Sequence, residues 1–223
     1  IMDAIVDIQA LYGKNGEFRS KEVAVTTLQG DHFGHWVIDA PYDFGELPKE
    51  VRASNNHLTC FHHGLEWVDG DTPLRKVYAA LRAMCRYALR IYTRGVQKAE
   101  ILRDVLGRDI INLEEYEGPT FRNMPPYDTW CIYHGVSKED AAKCALNNVG
   151  KMKRCIFNAT LKSHHIGSAG IIGLTQVSAD NSTGTRRPGE NARSVNRMTT
   201  KKNPIQRHRR PQLQRQSRHL ALI

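Results

Sequence analysis

Two tight-turn signals cut the first forty residues of the 223-residue chain into three short apolar segments. Asn15-Gly16 is a strong hairpin signal, because both residue types accept the positive φ that a tight reversal demands. Gln29-Gly-Asp31 marks the next reversal. Residues 4–11, 18–28 and 33–39 are therefore expected as three strands, and strands joined by such short turns pair as an antiparallel meander.

Downstream the period changes. Residues 41–56 are rich in turn formers and are expected as an extended connection. Asp71-Thr-Pro73 is expected to start a helix, a capping side chain preceding a proline of the first turn. Leu74, Val77, Leu81, Met84, Cys85, Ala88 and Leu89 then recur at helical spacing. Ile91 and Tyr92 open a fourth strand, 96–106 form a helix stopped by Gly107, and 109–113 a fifth strand. Ser137-Lys-Glu-Asp140 is similar to a capping box and predicts a third helix carrying Ala141, Cys144, Ala145, Val149 and Met152 near one face. The order β-β-β-α-β-α-β-α calls for an α/β fold with a mixed sheet and flanking helices, the order found in ribonuclease H-like domains.

After Asn158 the apolar period fails, apart from Gly170-Ile-Ile-Gly-Leu174. Twelve Lys or Arg against Asp180 and Glu190 follow Asn158, so the net charge of +9 belongs to this segment and the body is about neutral. Expected boundaries are 1–157 for the folded domain, 158–175 for a short apolar linker and 176–223 for a disordered basic tail, which cannot bury enough apolar surface to offset its ordering entropy. Five cysteines without a leader-like opening point to a reducing intracellular compartment, cytoplasmic or nuclear. The chain opens Ile1-Met2, so it starts at Met2 or is a fragment. No apolar run is long enough to span a bilayer.

The chemistry-bearing stretch is Cys131-Ile-Tyr-His134, followed after nine residues by Cys144-Ala145-Leu146. A thiolate and an imidazole so spaced close on one tetrahedral Zn²⁺, and a third soft ligand downstream continues such a half-site. A fourth ligand from far upstream would make the metal structural; water there would make it catalytic. The spacing is equally compatible with a buried small Cys144, a strand-end Cys131 and a turn histidine.

The body resembles 3′-to-5′ exonucleases of the proofreading type, with Val6-Asp7-Ile8-Gln9 where those enzymes carry Asp-x-Glu. Their two-metal chemistry needs four carboxylates. Here Asp7 is a remnant: Gln9 replaces the Glu, no Asp stands near Gly95-Val-Gln-Lys98-Ala99, and Lys143 and Asn148 replace the His and Asp of a final His-x-Ala-Leu-x-Asp. The chain is closer to the Maelstrom domain, a ribonuclease H-like fold that has lost the exonuclease residues and carries a Glu-Cys-His-Cys zinc set. Cys131, His134 and Cys144-Ala145-Leu146 match its Cys-x-x-His and Cys-Ala-Leu. Lys21-Glu22-Val23-Ala24 and Leu47-Pro48 match the order around its Glu. The resemblance covers about residues 4–157 and implies Glu22, Cys131, His134 and Cys144 as ligands of a structural zinc. It leaves the His62-His63-Gly64 element, similar to one in uncharacterised arthropod proteins, without a role.

What the Maelstrom resemblance implies is single-stranded RNA binding, with weak RNA endonuclease activity in some members, in small-RNA silencing of transposons, where silencing-pathway proteins are partners. The sequence offers Arg94, Lys98, Arg103, Lys143, Lys151, Lys153 and Arg154 as cations, and Tyr92, Tyr127, Trp130 and Tyr133 as rings for unpaired bases. Two other classes stay open. One is an active nuclease, through Asp7 with Glu66, Asp69 or Glu100, or through His62, His63 or Lys98 as acid and base; the other is a non-catalytic protein-binding scaffold.

Overall fold

The computed structural model describes residues 2–30, 32–116, 118–127, 129, 131, 133–134 and 144–165. Within them a five-stranded mixed sheet is flanked by helices. The hairpin strands are β1 (Met2–Tyr12), β2 (Phe18–Thr27) and β3 (Phe33–Val37), antiparallel as the turn signals require. Gly16 takes φ 75 in the first turn, a conformation that other residues adopt at a steric cost. Strands β4 (Ala88–Thr93) and β5 (Ile111–Asn112) add in parallel on the other side of β1, giving the order β3-β2-β1-β4-β5. That order is consistent with a distant ribonuclease H-like fold.

Central strand β1 is buried along almost its whole length, because helices cover both faces. On one face Ala4, Val6, Ile8, Val23 and Val25 pack against helix α2 (Leu74–Cys85) and helix α3 (Val96–Leu106). Val77, Leu81 and Cys85 of α2 recur every four residues and point inward. On the opposite face Ile5, Ala24 and Tyr92 meet a long helix at Ala145–His165 through Ala145, Val149, Met152 and Ile156. This helix continues past residue 157, the limit expected for the domain. The expected linker and tail beyond 165 lie outside the described residues, as does the capping box at 137–140.

Three expectations are corrected. Part of the extended connection at 41–56 is helical, from Lys49 to Leu58, and ends in a π-helical turn at Thr59–His63. In chain order the helices are thus α1 (Lys49–Leu58), α2, α3 and α4 (Ala145–His165). Helix α1 buries Asn55, whose amide accepts the Tyr12 N–H at 2.7 Å and donates to the Tyr12 carbonyl at 2.9 Å, so it completes the end of β1 as a strand would. Second, α2 stops at Cys85 and Ala88–Thr93 is strand, so Ala88 and Leu89 leave the helix. Third, Asp71 caps nothing: Pro73 is the N-cap of α2 and no side chain bonds there.

A β-bulge shapes the site. Gln9 pairs with Glu22 but Ala10 with Ser20, so Lys21 is the extra residue. Its buried ammonium donates to the carbonyls of Ile38, Trp67 and Asp69. The His62-His63-Gly64 element serves the same corner. His63 Nε2–H donates to the Ala10 carbonyl at 3.1 Å, its Nδ1 accepts the Leu65 N–H at 3.2 Å, and Gly64 ends the turn with φ 77.

Candidate metal centre

Glu22 is fully buried in β2, on the face that α4 covers, and everything polar around it converges on its carboxylate. From the neighbouring strand, His35 Nε2 lies 2.7 Å from Oε1. Its place follows from register: Glu22 pairs with Val37 and Ala24 with His35, so side chains 22, 24, 35 and 37 share one face. From the start of α4, the Cys144 thiol donates to Oε1 at 3.1 Å and the Ala145 N–H to Oε2 at 2.9 Å. Cys144 is at the N-cap position, since its carbonyl accepts the Asn148 N–H, and a carboxylate at a helix N-terminus is favoured by the helix dipole. From the preceding loop, His134 Nδ1 lies 3.8 Å from Oε1 and 3.2 Å from Cys131 Sγ.

Ligand atoms of Glu22, His35, Cys131 and Cys144 all lie within 4.8 Å of one another, a candidate metal-coordinating cluster. Glu22, Cys131, His134 and Cys144, separated in sequence by up to 122 residues, meet in one buried place. All four are at most 4 % exposed. His35 is the donor that sequence reasoning missed. The alternation of 33–39 places it on the Glu22 face only once the β2–β3 register is known.

The charges in the cluster are mutually supporting. Burial acts to raise the Glu22 pKa, but hydrogen bonding from His35, the His134 charge and the Ala145 N–H outweigh it and hold Glu22 below the usual range. Hydrogen bonding from Cys144, then from His134, pulls Cys131 well below a normal thiol. The same bond to Cys131, with burial and the Glu22 charge, pushes Cys144 up. Burial alone would lower His134; Cys131 and Glu22 raise it. Thiolate, imidazole and carboxylate in a dry site are the donor set of zinc rather than of magnesium or calcium.

The remnant Asp7 lies elsewhere on the same sheet face and has a different environment. Lys98 Nζ stands 2.6 Å from Oδ1 and Asn148 Nδ2 2.8 Å from Oδ2, with Gln9 Nε2 at 3.5 Å. Burial raises its pKa against the opposing effect of Lys98 and Asn148. An ammonium thus occupies the carboxylate that a divalent ion would need. Glu66, Asp69 and Glu100 do not join Asp7 in any group of three ligating side chains among the described residues. Both ring nitrogens of His63 are committed in the neutral form, and His62 is exposed, its ring tilted against His57 with centroids 5.9 Å apart.

The candidate RNA contacts differ in burial. Tyr92 is 1 % exposed and cannot stack on a base. Lys151 is buried, Lys98 is paired with Asp7, and Arg94 lies 3.7 Å from Glu114 with its side chain 11 % exposed. Arg103 and Arg154 are exposed, and Lys153 is half-buried, its ammonium on the Gly30 carbonyl. Tyr127 lies under the Arg154 guanidinium, and Tyr133 packs on the α4 face. Lys143 and Trp130 lie outside the described residues. No protein-family model matches the chain, and no curated protein matches it.

Proposed function

We propose that the protein is a zinc-stabilised ribonuclease H-like domain without two-metal chemistry that binds single-stranded RNA, in the setting the Maelstrom resemblance implies, small-RNA silencing of transposons. The observation that carries the zinc reading is the convergence on Glu22. In a tetrahedral zinc site with ordinary bond lengths, ligand atoms stand about 3.3–3.8 Å apart. His134 Nδ1 to Cys131 Sγ at 3.2 Å, Cys144 Sγ to Glu22 Oε1 at 3.1 Å and His134 Nδ1 to Glu22 Oε1 at 3.8 Å are close to those edges. His35 to Glu22, at 2.7 Å, has hydrogen-bond length instead. Glu22, Cys131, His134 and Cys144 are therefore the proposed ligands, and His35 orients the carboxylate from behind. Bound there, zinc would tie β2 to the start of α4 and add its binding energy to folding.

Non-catalytic binding fits the state of Asp7, whose carboxylate is neutralised by Lys98. RNA binding is supported by exposed Arg103 and Arg154, with Lys153 and the Tyr127 ring beside Arg154. Elemental analysis of the purified full chain, run beside Cys131→Ser and Glu22→Ala, tests the metal: one zinc per chain is expected, lost in the cysteine variant and weakened in the glutamate variant. Fluorescence anisotropy with a labelled single-stranded RNA at low and high salt tests the binding. Zinc without salt-sensitive RNA binding would reduce the reading to a metal-stabilised scaffold.

A further inference from the structure

Beside α4 the edge of the sheet forms a partly open cavity of about 190 Å³. Its walls come from the β2–β3 pair, from Tyr127 and Thr129, and from α4. Leu146 and Val149 are apolar and buried, Thr26 and Thr129 bring hydroxyls, and Tyr127 and Phe33 bring rings. Phe33 opens the edge strand β3 and lines the cavity with 67 % of its surface exposed, which leaves apolar ring area in water.

The opposite ring is built in. Gly150 interrupts α4 at a position where glycine costs about 1 kcal/mol relative to alanine. A Cβ at that position would stand 2.2 Å from Tyr127 Cδ1, so the glycine is what lets the ring lie against the helix. The Arg154 guanidinium lies 4.9 Å from the Tyr127 centroid, and Lys153 lines the cavity while donating to the Gly30 carbonyl. Thr129 is held to α4 by its N–H on Asn147 Oδ1 at 2.7 Å.

We infer that this cavity receives one unpaired nucleobase of a single-stranded RNA, between Phe33 and Tyr127, with the adjoining phosphate drawn to Lys153 and Arg154. The inference rests on the RNA-binding reading above and assigns it a place. At 190 Å³ the cavity is smaller than the roughly 300–1,000 Å³ that holds a drug-sized ligand, so it admits a single ring system. Flat aromatic walls suit any base face, threonine hydroxyls suit a base edge, and cations at the rim suit the phosphate that every base in a chain carries. An aliphatic ligand would use neither the hydroxyls nor the cations.

The test uses the full chain and two labelled eight-nucleotide probes, oligouridine and the same ribose-phosphate chain made abasic, measured by fluorescence anisotropy. Oligouridine should bind about tenfold tighter than the abasic chain. Phe33→Ala should erase that preference while leaving zinc content and thermal midpoint unchanged, and Phe33→Trp should keep it. Equal affinity for the two probes, or an unaltered preference in Phe33→Ala, would overturn the base pocket and leave salt-sensitive RNA binding standing. No binding of either probe would overturn both readings.

Discussion

Asp7 and Glu22 are buried carboxylates on adjacent strands, both reached by the start of α4, yet they are neutralised in opposite ways. Asp7 receives an ammonium and an amide from the chain itself. Glu22 receives two imidazoles, a thiol and a helix N-terminus, all of them groups that also suit a metal. A buried negative charge is tolerated only with compensation. At Asp7 the fold supplies the cation covalently; at Glu22 it assembles donors for an external one. The first arrangement sets an ammonium where a divalent ion would sit, and the second forms the candidate metal-coordinating cluster.

The largest effect should come from taking the metal away. Structural zinc contributes apparent binding energies of about 10–16 kcal/mol in small zinc domains, where the unfolded chain holds no preformed site. Treating the full chain with a strong chelator should therefore lower its thermal midpoint sharply, and re-added zinc should restore it. Cys144→Ser should imitate the chelator. Cys85→Ser, at a buried thiol of α2 packed on the opposite face, and Cys60→Ser, at an exposed one, should keep the metal. An unchanged midpoint after chelation would make Glu22 a hydrogen-bonded carboxylate of the same kind as Asp7 and erase the contrast.

Next is the ammonium. Removing one partner of a buried pair costs about 3–5 kcal/mol because the other charge is stranded. Lys98→Met should lose on that order in urea denaturation, and Asp7→Asn combined with Lys98→Met should recover most of it. A loss below about 1 kcal/mol would mean that Asp7 needs no counterion.

These two centres were unequally legible in the sequence. The spacing of Cys131-x-x-His134 and Cys144 suits metal ligands and ordinary buried residues equally, and only the shared contact with Glu22 separates the two readings, whereas turn signals bracketing apolar runs mark β1, β2 and β3 to within two residues. Lys98 and Asp7 are 91 residues apart, and no local pattern links a helix lysine to a strand aspartate. The sequence therefore offers Lys98 only as a candidate RNA-binding cation or acid–base group. Helix α1 carries no apolar period in the sequence because Lys49–Leu58 has so little apolar content: the residue it buries is Asn55, which bonds to backbone. His35 required the β2–β3 register. Burial of Tyr92 required knowing that β4 lies beside β1 under α4.

The same contrast between self-contained and metal-ready groups separates two imidazoles, His63 and His134. Burial lowers the His63 pKa from 6.5 to about 4, and both of its nitrogens are committed in the neutral form. Because the folded value is depressed, its contribution is complete above about pH 6.5. It is lost as pH falls from about 6.5 through about 4, the interval in which the unfolded chain holds a proton that the folded one refuses. The loss should be about 2–3 kcal/mol between pH 7 and 4, read as the difference in unfolding free energy between the native chain and His63→Gln. Parallel pH profiles for the two proteins would show that His63 is already solvated.

The smallest effect tests the ligand assignment itself. If His35 only orients Glu22, replacing it should weaken the metal without abolishing it, since loss of an outer hydrogen bond costs about 10–100-fold in affinity. His35→Gln keeps an amide donor near Oε1, so it should fall at the mild end of that range and retain one zinc per chain. His134→Gln, which takes away a donor 3.2 Å from Cys131 Sγ and 3.8 Å from Glu22 Oε1, should lose the metal under the same competition with a chelating dye. The reverse outcome, zinc kept in His134→Gln and lost in His35→Gln, would place both metal-side imidazole and carboxylate on neighbouring sheet strands. His134 would then be the ring that orients the thiolate, and the contrast with Asp7 would rest on β2 and β3 rather than on the loop before α4.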